Sequence, residues 1–427
     1  MMEHLKRTNG RNKAPNGIHV LYAQAVYGKE EIDAVRAVLE NNPLSLMCGS
    51  SVRAFEDRVA ELFGKRHALM VNSGSSANLL AIAALGLPKG SEIITPALTF
   101  STTVAPLVQH GLVPSFVDVG LDTFVIDEEK VVEMITPNTT AMLIPNLIGN
   151  LPKWAVLNAI AKRYGLVVIE DSADTIGHLY QGAPTGRLSD IATTSFYGSH
   201  IVTCAGSGGA LCLDDDKLAE RAKLLRGWGR SSANADESEE VNRRFTRSLN
   251  GMPYDNKFIY EAMGYNFLPS EVGAAFGLIQ LTRLPQYVDR RIRHFDRLRR
   301  FFEAYTEWLV LPHQEEHSKT AWLAFPLIVR ESSPFTRNDL QVYFEQNGIQ
   351  TRTIFSGNIL RQPAFMNINR RESPSGYHNA DRIMRGGLLI GCHQGMTDEH
   401  FEHIGTCFKQ FVARYVRKSR HLGAVAS

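Results

Sequence analysis

The sequence at residues 191–213 reads IATTSFYGSHIVTCAGSGGALCL, and it holds two apolar runs separated by a turn of small residues. The runs Thr193–Tyr197 and Gly209–Leu213 predict strands buried on both faces, because neither alternates with polar residues. His200 lies between them, just before the glycine-rich residues 205–209. A histidine can exchange a proton near neutral pH, although a lone histidine is more often a surface or satisfied core residue. The stretch therefore predicts a strand–turn–strand unit that presents an imidazole.

Similar apolar runs precede this unit along the chain. They are short, they are bounded by turn residues, and they comprise Ala68–Val71, Glu92–Thr95, Ser115–Val119, Ala141–Pro145 and Leu166–Glu170. Helical patterns such as Ser76–Leu87 and Lys153–Tyr164 lie between several of them. Alternating strands and helices predict an α/β fold, in which a mostly parallel seven-stranded sheet is flanked by helices and connected by right-handed crossovers.

The pattern changes after residue 270. The predicted elements there are a buried or interface helix Glu271–Leu284, a connecting helix Gln286–Leu309, a strand Ala321–Val329, and helices Arg337–Asn347 and Thr397–Val416. The polar stretch Ser231–Asp255 predicts a long loop. We expect four segments: a basic mobile arm (1–19), a large α/β domain (20–285), a smaller C-terminal α+β domain (286–416) and a disordered tail (417–427).

The composition excludes several classes of protein. The 427 residues are 44% hydrophobic and 21% charged, with a net charge of +2, which predicts neither nucleic-acid nor membrane-surface binding. No apolar run reaches the ~18–20 residues that span a bilayer. The polar N-terminus lacks the apolar core of a secretory signal, so we expect a cytoplasmic protein. Five scattered cysteines without C-x-x-C spacing predict a reducing compartment and no metal site.

Two polar stretches follow buried strands. Asn72–Asn78 (NSGSSAN) opens a helix, where free N–H groups, the helix dipole and serine hydroxyls form an anion site; a serine-rich helix cap is the alternative. Glu170–Asp174 (EDSAD) ends another strand, and ligands gather at the carboxyl ends of strands in open α/β sheets. Asp171 could there hold a protonated pyridine nitrogen, or it could only cap the next helix.

Three further residues are candidates for ligand contact. Phe100 follows a strand and could stack on a cofactor ring, although a lone phenylalanine is usually a core residue. Ser195 shares the strand–turn with His200. Asn266 precedes the predicted interface helix and could donate to a phosphate, or it could be a turn asparagine.

In their joint order these stretches resemble the DegT-type family, whose enzymes use pyridoxal 5′-phosphate (PLP) to modify nucleotide-linked sugars. The resemblance covers about residues 20–415, and its landmarks are Gly28–Ile32, Ala54–Glu56, Ser73–Ala77, Pro96–Phe100, Phe116–Val119, Glu170–Asp171, Ser195–Tyr197 and Gly264–Asn266. It implies a PLP-dependent transferase of fold type I.

The resemblance also implies a role for each candidate residue. Cofactor contacts are expected from seven side chains: Ser75, Ser76 and Ser195 at the phosphate, Asp171 at the pyridine nitrogen, Phe100 on the ring, Asp174 near the 3′-oxygen, and Asn266 at the phosphate of the neighbouring subunit. The last contact implies a homodimer with shared active sites.

His200 occupies the position at which this family carries the lysine that forms a Schiff base with PLP. An imidazole cannot form one, and no lysine occurs between Lys162 and Lys217. The chain thus resembles the histidine-bearing sugar 3-dehydratases, which implies PLP or its amine form (PMP) bound noncovalently and glutamate as amino donor. Some of these enzymes hold a [2Fe–2S] cluster through cysteines where this chain has Ser172 and Ala173, so no cluster is expected.

The implied function is C3 dehydration of a keto sugar, a nucleotide-linked 4-keto-6-deoxyhexose, with His200 as acid/base, in deoxysugar or lipopolysaccharide biosynthesis. A glutamate-dependent sugar aminotransferase is the main alternative, and a binding protein that has lost its chemistry is the alternative from another class. The chain departs from the dehydratases at Ile201, where they carry a second histidine. Arg230, Arg352 and His393 are candidates for substrate contact, with surface or interface positions as the alternative.

Overall fold

The computed structural model describes residues 17–41, 46–234 and 241–425. Its helices are α1 (Lys29–Asn41), α2 (Ser50–Phe63), α3 (Gly74–Leu85), α4 (Ser101–Gln109), α5 (Trp154–Tyr164), α6 (Asp216–Arg226), α7 (Val241–Arg244), α8 (Glu271–Phe302), α9 (Arg337–Gln346), α10 (His378–Gly386) and α11 (Asp398–Val425). Its strands are β1 (His67–Val71), β2 (Glu92–Pro96), β3 (Val113–Val117), β4 (Thr139–Pro145), β5 (Val167–Asp171), β6 (Leu179–Tyr180), β7 (Ala183–Pro184), β8 (Ile191–Ser195), β9 (Gly209–Leu213), β10 (Arg247–Leu249), β11 (Met252–Tyr254), β12 (Leu309–Val310), β13 (Ser318–Lys319), β14 (Phe325–Val329), β15 (Thr351–Thr353) and β16 (Gly387–Ile390).

The seven strands predicted from the sequence form one sheet in the order β1-β9-β8-β5-β4-β2-β3. The pairs from β8 to β3 are all parallel, whereas β9 runs antiparallel to both of its neighbours. The predicted α/β fold with a mostly parallel sheet is confirmed.

Successive residues of the central strands are buried in opposite layers. Ile93 packs into the apolar cluster formed with α3 and α6, whereas the adjacent Ile94 packs with Trp154 of α5. On β5, Ile169 packs into the first of these clusters and Val168 into the second. Because side chains alternate across a strand and both faces are covered, these strands read as continuous apolar runs.

A second sheet lies in the C-terminal part of the chain. Its order is β12-β14-β16-β15, and all of its pairs are antiparallel. Residues of α9, α10 and α11 share its apolar cluster, which gives the α+β unit expected there. Val20 also joins this unit, because its N–H donates to the Gly348 carbonyl (2.9 Å) and its carbonyl accepts from the Gln350 N–H (2.9 Å).

Three predicted elements differ from the structure. The helices expected on either side of Pro285 are one continuous helix, α8. A proline removes one helical hydrogen bond, but Leu284, Tyr287 and Val288 around it are all buried, and this packing keeps the helix intact. The loop expected over 231–255 contains the hairpin β10–β11. The strand expected over 321–329 begins only at Phe325.

The expected arm lies largely outside the described residues, whereas most of the expected tail lies within them. Of the arm, residues 1–16 are outside; of the tail, 426–427 are outside, and α11 continues to Val425 where we expected disorder after residue 416. The boundary at residue 285 falls inside α8, and the division into domains stays a prediction. Within the described ranges no helix has the length and hydropathy needed to cross a membrane.

We predict that Gly277→Ala destabilises the fold. Gly277 lies on α8, and a Cβ there would come within 2.6 Å of both the Cys204 Sγ and the Phe55 ring. Alanine normally favours a helix, so a loss of about 1–3 kcal/mol in the free energy of unfolding would reflect this clash. Urea denaturation measures it, with Gly28→Ala as the control because a Cβ there meets nothing within 4 Å. Equal stability of the two variants would contradict the prediction.

Candidate active site

A cavity of about 350 Å³ opens at the carboxyl edge of the large sheet. Pro145, Asp171 and Ser195 are the last residues of β4, β5 and β8, and all three line it. Leu323 and Phe355 contribute from the C-terminal half of the chain. None of the described residues that line the cavity is a lysine. The cavity thus lies where parallel α/β sheets bind ligands, and it offers no amine for a covalent bond.

Asp171 supplies a buried carboxylate to this cavity. Its Oδ2 accepts hydrogen bonds from Asn78 Nδ2 (2.8 Å) and Thr103 Oγ1 (2.9 Å), and its Oδ1 accepts from the Ala173 N–H (3.3 Å). Burial raises the pKa of the Asp171 carboxyl, and these hydrogen bonds oppose that shift. No Lys, Arg or His nitrogen of the described ranges lies within ion-pair distance of it. The site therefore fits a ligand that brings a cation, such as a protonated ring nitrogen.

The first turn of α3 also lines the cavity. Ser73 caps the helix, because its Oγ accepts from the Ser76 N–H (3.1 Å). Ser75 Oγ donates to Thr102 Oγ1 (3.0 Å) and lines the cavity. Gly74 allows Ser195 to lie against this turn, since a Cβ at residue 74 would come within 2.6 Å of the Ser195 Cβ. Exposed helix N–H groups and hydroxyls of this kind suit a phosphate.

The turn between β8 and β9 carries His200 to the cavity. The Phe196 N–H donates to the Gly208 carbonyl (2.9 Å), and the Gly198 N–H donates to the Gly206 carbonyl (3.2 Å). The His200 N–H closes a tighter turn onto the Tyr197 carbonyl (3.0 Å). The predicted strand–turn–strand unit is therefore present, and its imidazole faces the cavity.

His200 and Asp174 lie side by side. The His200 Nδ1 is 3.3 Å from the Asp174 Oδ1, but the two are not aligned as a hydrogen bond. The other carboxylate oxygen, Oδ2, accepts from the Ile148 N–H (3.0 Å). Since Nδ1 faces the carboxylate, Nε2 is the nitrogen left to exchange a proton with a ligand.

Ile148 holds Asp174 from a strained backbone conformation. Its φ is +61°, which β-branched residues rarely adopt. Its carbonyl accepts from the Leu323 N–H (2.7 Å), so the residue is fixed from both sides. Strain of this kind costs about 1–3 kcal/mol and persists where the surroundings hold it. Here it aims an N–H at the carboxylate beside His200.

Aromatic side chains form the mouth of the cavity. Phe100 is 48% exposed, and its ring centre lies 6.1 Å from that of Phe355 in an edge-to-face arrangement. Tyr22 also lines the cavity. Burial and the nearby Asp174 raise the pKa of its hydroxyl. Phe100 is thus free to contact a planar ring in the cavity.

Two residues expected at the cofactor do not reach this cavity. Ser76 and Asn266 are absent from the described residues that line it. Ser76 Oγ instead accepts from Ser73 Oγ (3.0 Å), within the first turn of α3. Asn266 is exposed and pairs with Gly227, so contact with a phosphate in its own chain is not made here.

The three candidates for substrate contact have different surroundings. Arg352 lies over the Tyr22 ring (5.4 Å), next to the cavity. Arg230 lies instead over the Trp228 ring (4.2 Å), away from it. His393 is buried; its Nε2 is 3.1 Å from the Leu21 carbonyl, and burial lowers its pKa to about 3. None of the three lines the cavity, and Arg352 contacts the lining residue Tyr22.

Comparison with known proteins decides the family. Residues 26–409 match the DegT/DnrJ/EryC1/StrS aminotransferase family. The chain belongs to this family. It is 37% identical to the lipopolysaccharide biosynthesis protein RfbH of Salmonella typhimurium, over 84% of each chain. It is also 34% identical to dTDP-4-dehydro-2,6-dideoxy-D-glucose 3-dehydratase of Saccharopolyspora spinosa, over 90% of this chain and 84% of the relative.

A solved structure of the family gives the same fold with a ligand in place. It is the crystal structure of GDP-4-keto-6-deoxymannose-3-dehydratase with a trapped PLP-glutamate geminal diamine. The TM-score is 0.80 at 28% identity, and the match covers 90% of this chain and 98% of that one. The resemblance to the PLP-dependent DegT-type enzymes, and with it the fold-type-I architecture, is confirmed.

Sequence reasoning missed several residues that shape this DegT-family site. Asn78 holds Asp171 but was read only as part of a helix cap; its signal was an amide at the start of the apolar helix 77–85. Asn146, also in the cavity, donates to Glu170 Oε1 (2.7 Å) and accepts from Trp154 Nε1 (2.9 Å). Tyr22 and Phe355 carry no local signal, because only the fold brings them to the cavity.

A buried histidine supports the strained turn at Ile148. The His178 Nε2 accepts from the Ala321 N–H (3.1 Å), so the neutral ring donates from Nδ1 to Thr320 Oγ1 (2.9 Å). Thr320 in turn donates to the Gly149 carbonyl. Burial lowers the pKa of His178 to about 3 from its ordinary 6.5. The ring therefore stays neutral and keeps this hydrogen bond in mildly acidic solution.

We predict that His178 makes the fold acid-sensitive. As the pH falls from 6.5 towards 3, the unfolded chain binds a proton at this residue while the folded chain does not, so the free energy of unfolding falls. His178→Asn should therefore lower the free energy of unfolding at pH 7. It should also reduce the slope of that free energy against pH by about 1.4 kcal/mol per pH unit. Urea denaturation from pH 4 to 7 measures this, with His317→Asn at an exposed site as control. An unchanged slope in His178→Asn would disprove it.

Proposed function

We propose that the chain is a PLP/PMP-dependent sugar 3-dehydratase that uses His200 as its acid/base. One observation carries the proposal: an imidazole paired with Asp174 faces a cavity that contains Asp171 and a serine-lined helix N-terminus but no lysine. A binding protein without chemistry has no need for this combination in one cavity.

The residues present fit the cofactor. The N-terminus of α3 with Ser75 and Ser195 suits its phosphate, Asp171 suits the ring nitrogen, and Phe100 can cover the ring. Bound in its amine form, the cofactor supplies an amine for a keto group and an electron sink for C–O cleavage. Without a lysine in the cavity, it is held noncovalently.

His200 moves the proton in this proposal. Its Nε2 takes up a proton and returns it to the departing hydroxyl, which leaves as water. Asp174 lies 3.3 Å from Nδ1, so that Nε2 is the ring nitrogen left for the ligand. Phe100 and Phe355 lie edge to face and both line the cavity in which this transfer takes place.

The overall reaction balances with glutamate as the reductant. The sugar loses the oxygen at C3, and glutamate becomes 2-oxoglutarate and ammonia. Two electrons pass from the glutamate Cα to the sugar, and the water formed by elimination is consumed in releasing ammonia. No further redox partner is needed, in keeping with Ser172 and Ala173 at the position of cluster ligands.

The relatives support a keto sugar as substrate. The 34% identical relative is named as the 3-dehydratase of a dTDP-4-keto sugar, and the 28% identical crystal structure is that of a GDP-4-keto sugar 3-dehydratase trapped with glutamate. We therefore propose a nucleotide-linked 4-keto-6-deoxyhexose as substrate. The family also contains aminotransferases, so transfer of the amine to the sugar is the competing outcome.

We predict loss of oxygen from the sugar and release of ammonia when the protein is incubated with PLP, glutamate and dTDP- or GDP-linked 4-keto-6-deoxyhexose. Mass spectrometry measures the sugar, and a coupled assay measures ammonia. His200→Asn should lower this turnover by at least about 100-fold, because it removes the group that transfers the proton. A stable amino sugar without ammonia would show an aminotransferase instead.

A control variant separates cofactor binding from turnover. His200→Lys should form an adduct that borohydride reduces and fixes to the protein, whereas the wild type should bind PLP without one. Failure of the wild type to bind PLP at all would overturn the proposal.

We also propose that the protein is a homodimer. An apolar groove of about 440 Å³ lies beside the turn that carries His200, and its lining includes Tyr27, Ile32 and Phe276. Tyr27 and Ile32 are each 56% exposed in the single chain. Burial of such a patch by a second copy would remove its apolar surface from water. In such a dimer the exposed Asn266 would contact the active site of the second copy.

We predict complementation between two inactive variants, His200→Asn and Asn266→Ala. In a heterodimer with shared sites, one site carries both changes and the other carries neither. Differently tagged subunits, co-expressed and purified as the heterodimer, should show about half of the wild-type activity. If each residue serves its own subunit, both sites stay defective and activity does not return.

A further inference from the structure

We infer that Arg291 is a positioning residue that fixes His200 and Asp174 relative to one another through two separate chains of hydrogen bonds. The inference rests on the proposed role of His200. Arg291 lies on α8 and contacts neither side chain within ion-pair distance, so it acts through other residues.

Arg291 is fully buried and is held by neutral groups. Its Nε donates to Gln394 Oε1 (2.6 Å), and its Nη1 donates to the carbonyls of Leu323 (3.0 Å) and Trp322 (3.3 Å). Among the residues that the structure describes, no carboxylate lies within 4 Å of it, and its Nη2 has no hydrogen-bond partner. A cation buried in this way is costly, and an apolar side chain of similar volume would pack at lower cost.

The first chain leads from Arg291 to His200. Gln394 is buried, and its amide nitrogen donates to the Ile201 carbonyl (3.2 Å). Ile201 follows His200 directly and is itself buried. The Gln394 amide therefore has a fixed orientation, with its oxygen on Arg291 and its nitrogen on the turn that presents the imidazole.

The second chain leads from Arg291 to Asp174. Its donation to the Leu323 carbonyl fixes the backbone of that residue, whose N–H donates to the Ile148 carbonyl (2.7 Å). The Ile148 N–H then donates to Asp174 Oδ2 (3.0 Å). Arg291 is thus the common origin of the contacts that fix both members of the His200–Asp174 pair.

The charge of Arg291 also reaches the pair. Burial lowers its pKa to about 10, so the guanidinium is still protonated at neutral pH. Cys392, Tyr22 and Asp174 each interact favourably with this charge when ionised. A neutral replacement therefore removes an electrostatic contribution as well as the hydrogen bonds.

The test uses the Gln394 link, because Arg291→Met could fail to fold. Gln394→Glu keeps an acceptor for Arg291 but has no donor for the Ile201 carbonyl, whereas Gln394→Met lacks both. The assay is the conversion of bound PLP to PMP by glutamate, which is monitored by absorbance. This reaction needs proton transfer but no sugar. Both variants should slow it about tenfold with the KM for glutamate little changed, since small displacements of a catalytic group are costly. A wild-type rate in Gln394→Glu would overturn the inference.

A double variant separates positioning from general stability. In a His200→Asn background, Gln394→Glu should have no further effect on this rate, because the group that it positions is gone. A further loss as large as in the wild-type background would show a merely structural role and overturn the inference. Thermal unfolding of each variant confirms that the compared proteins are folded.

A readout without cofactor keeps the two proposals distinguishable. In protein labelled with 13C-histidine and free of PLP, the His200 ring signal is identified by its disappearance in His200→Asn. Gln394→Glu and Arg291→Lys should each move or broaden that signal. If it moves while the wild type fails to convert PLP, the proposed function fails and the positioning inference stands. If it stays unmoved in both variants, the inference fails.

Discussion

The site depends on a carboxylate that is buried before any ligand arrives. Asp171 ends the strand β5, and burial disfavours its charged form. Asn78 from α3 and Thr103 from α4 offset part of this cost, so two helices are tied to the end of one strand. The same placement brings the N-terminus of α3 to the cavity. A ligand with a cationic ring at one end and an anion at the other fits both the carboxylate and the helix N-terminus. Few cofactors other than PLP have that shape.

The carboxylate beside His200 is held by a strained turn. Ile148 adopts a left-handed conformation that isoleucine disfavours, and hydrogen bonds from Leu323 and to Asp174 maintain it. His178 supports the neighbouring Gly149 through Thr320. The bond from Thr320 to Gly149 joins residues that lie 171 positions apart in the chain. The C-terminal unit therefore does more than cover the cavity, since it fixes the carboxylate that lies against the imidazole.

Local sequence patterns were sufficient to predict the large sheet and part of the candidate site. All seven strands of the large sheet were predicted because strands buried on both faces are continuous apolar runs, and Asp171 was placed at the carboxyl edge, where ligands gather. Ser195 was placed inside the predicted strand Thr193–Tyr197, whereas it is the last residue of β8 at the same edge. Tyr22 and Phe355 were missed because only tertiary packing brings them to the cavity. Pro285 was read as a helix end, yet burial of its neighbours outweighs the lost hydrogen bond. The role proposed for Asn266 involves a second chain, so contacts within one chain do not test it.

The proposed role of His200 in place of the family's lysine gives a physical reason for the number of contacts that orient this residue. A lysine bound to its cofactor is positioned by the covalent bond, and when free it is a flexible chain with many accessible positions. An imidazole without such a bond keeps its direction only if the protein holds it. Here the contact with Asp174, the turn closed onto Tyr197 and the link from Gln394 to Ile201 all act on that ring or its backbone. A buried guanidinium that joins these contacts is costly for folding, and the need to aim one nitrogen is a physical reason to retain it.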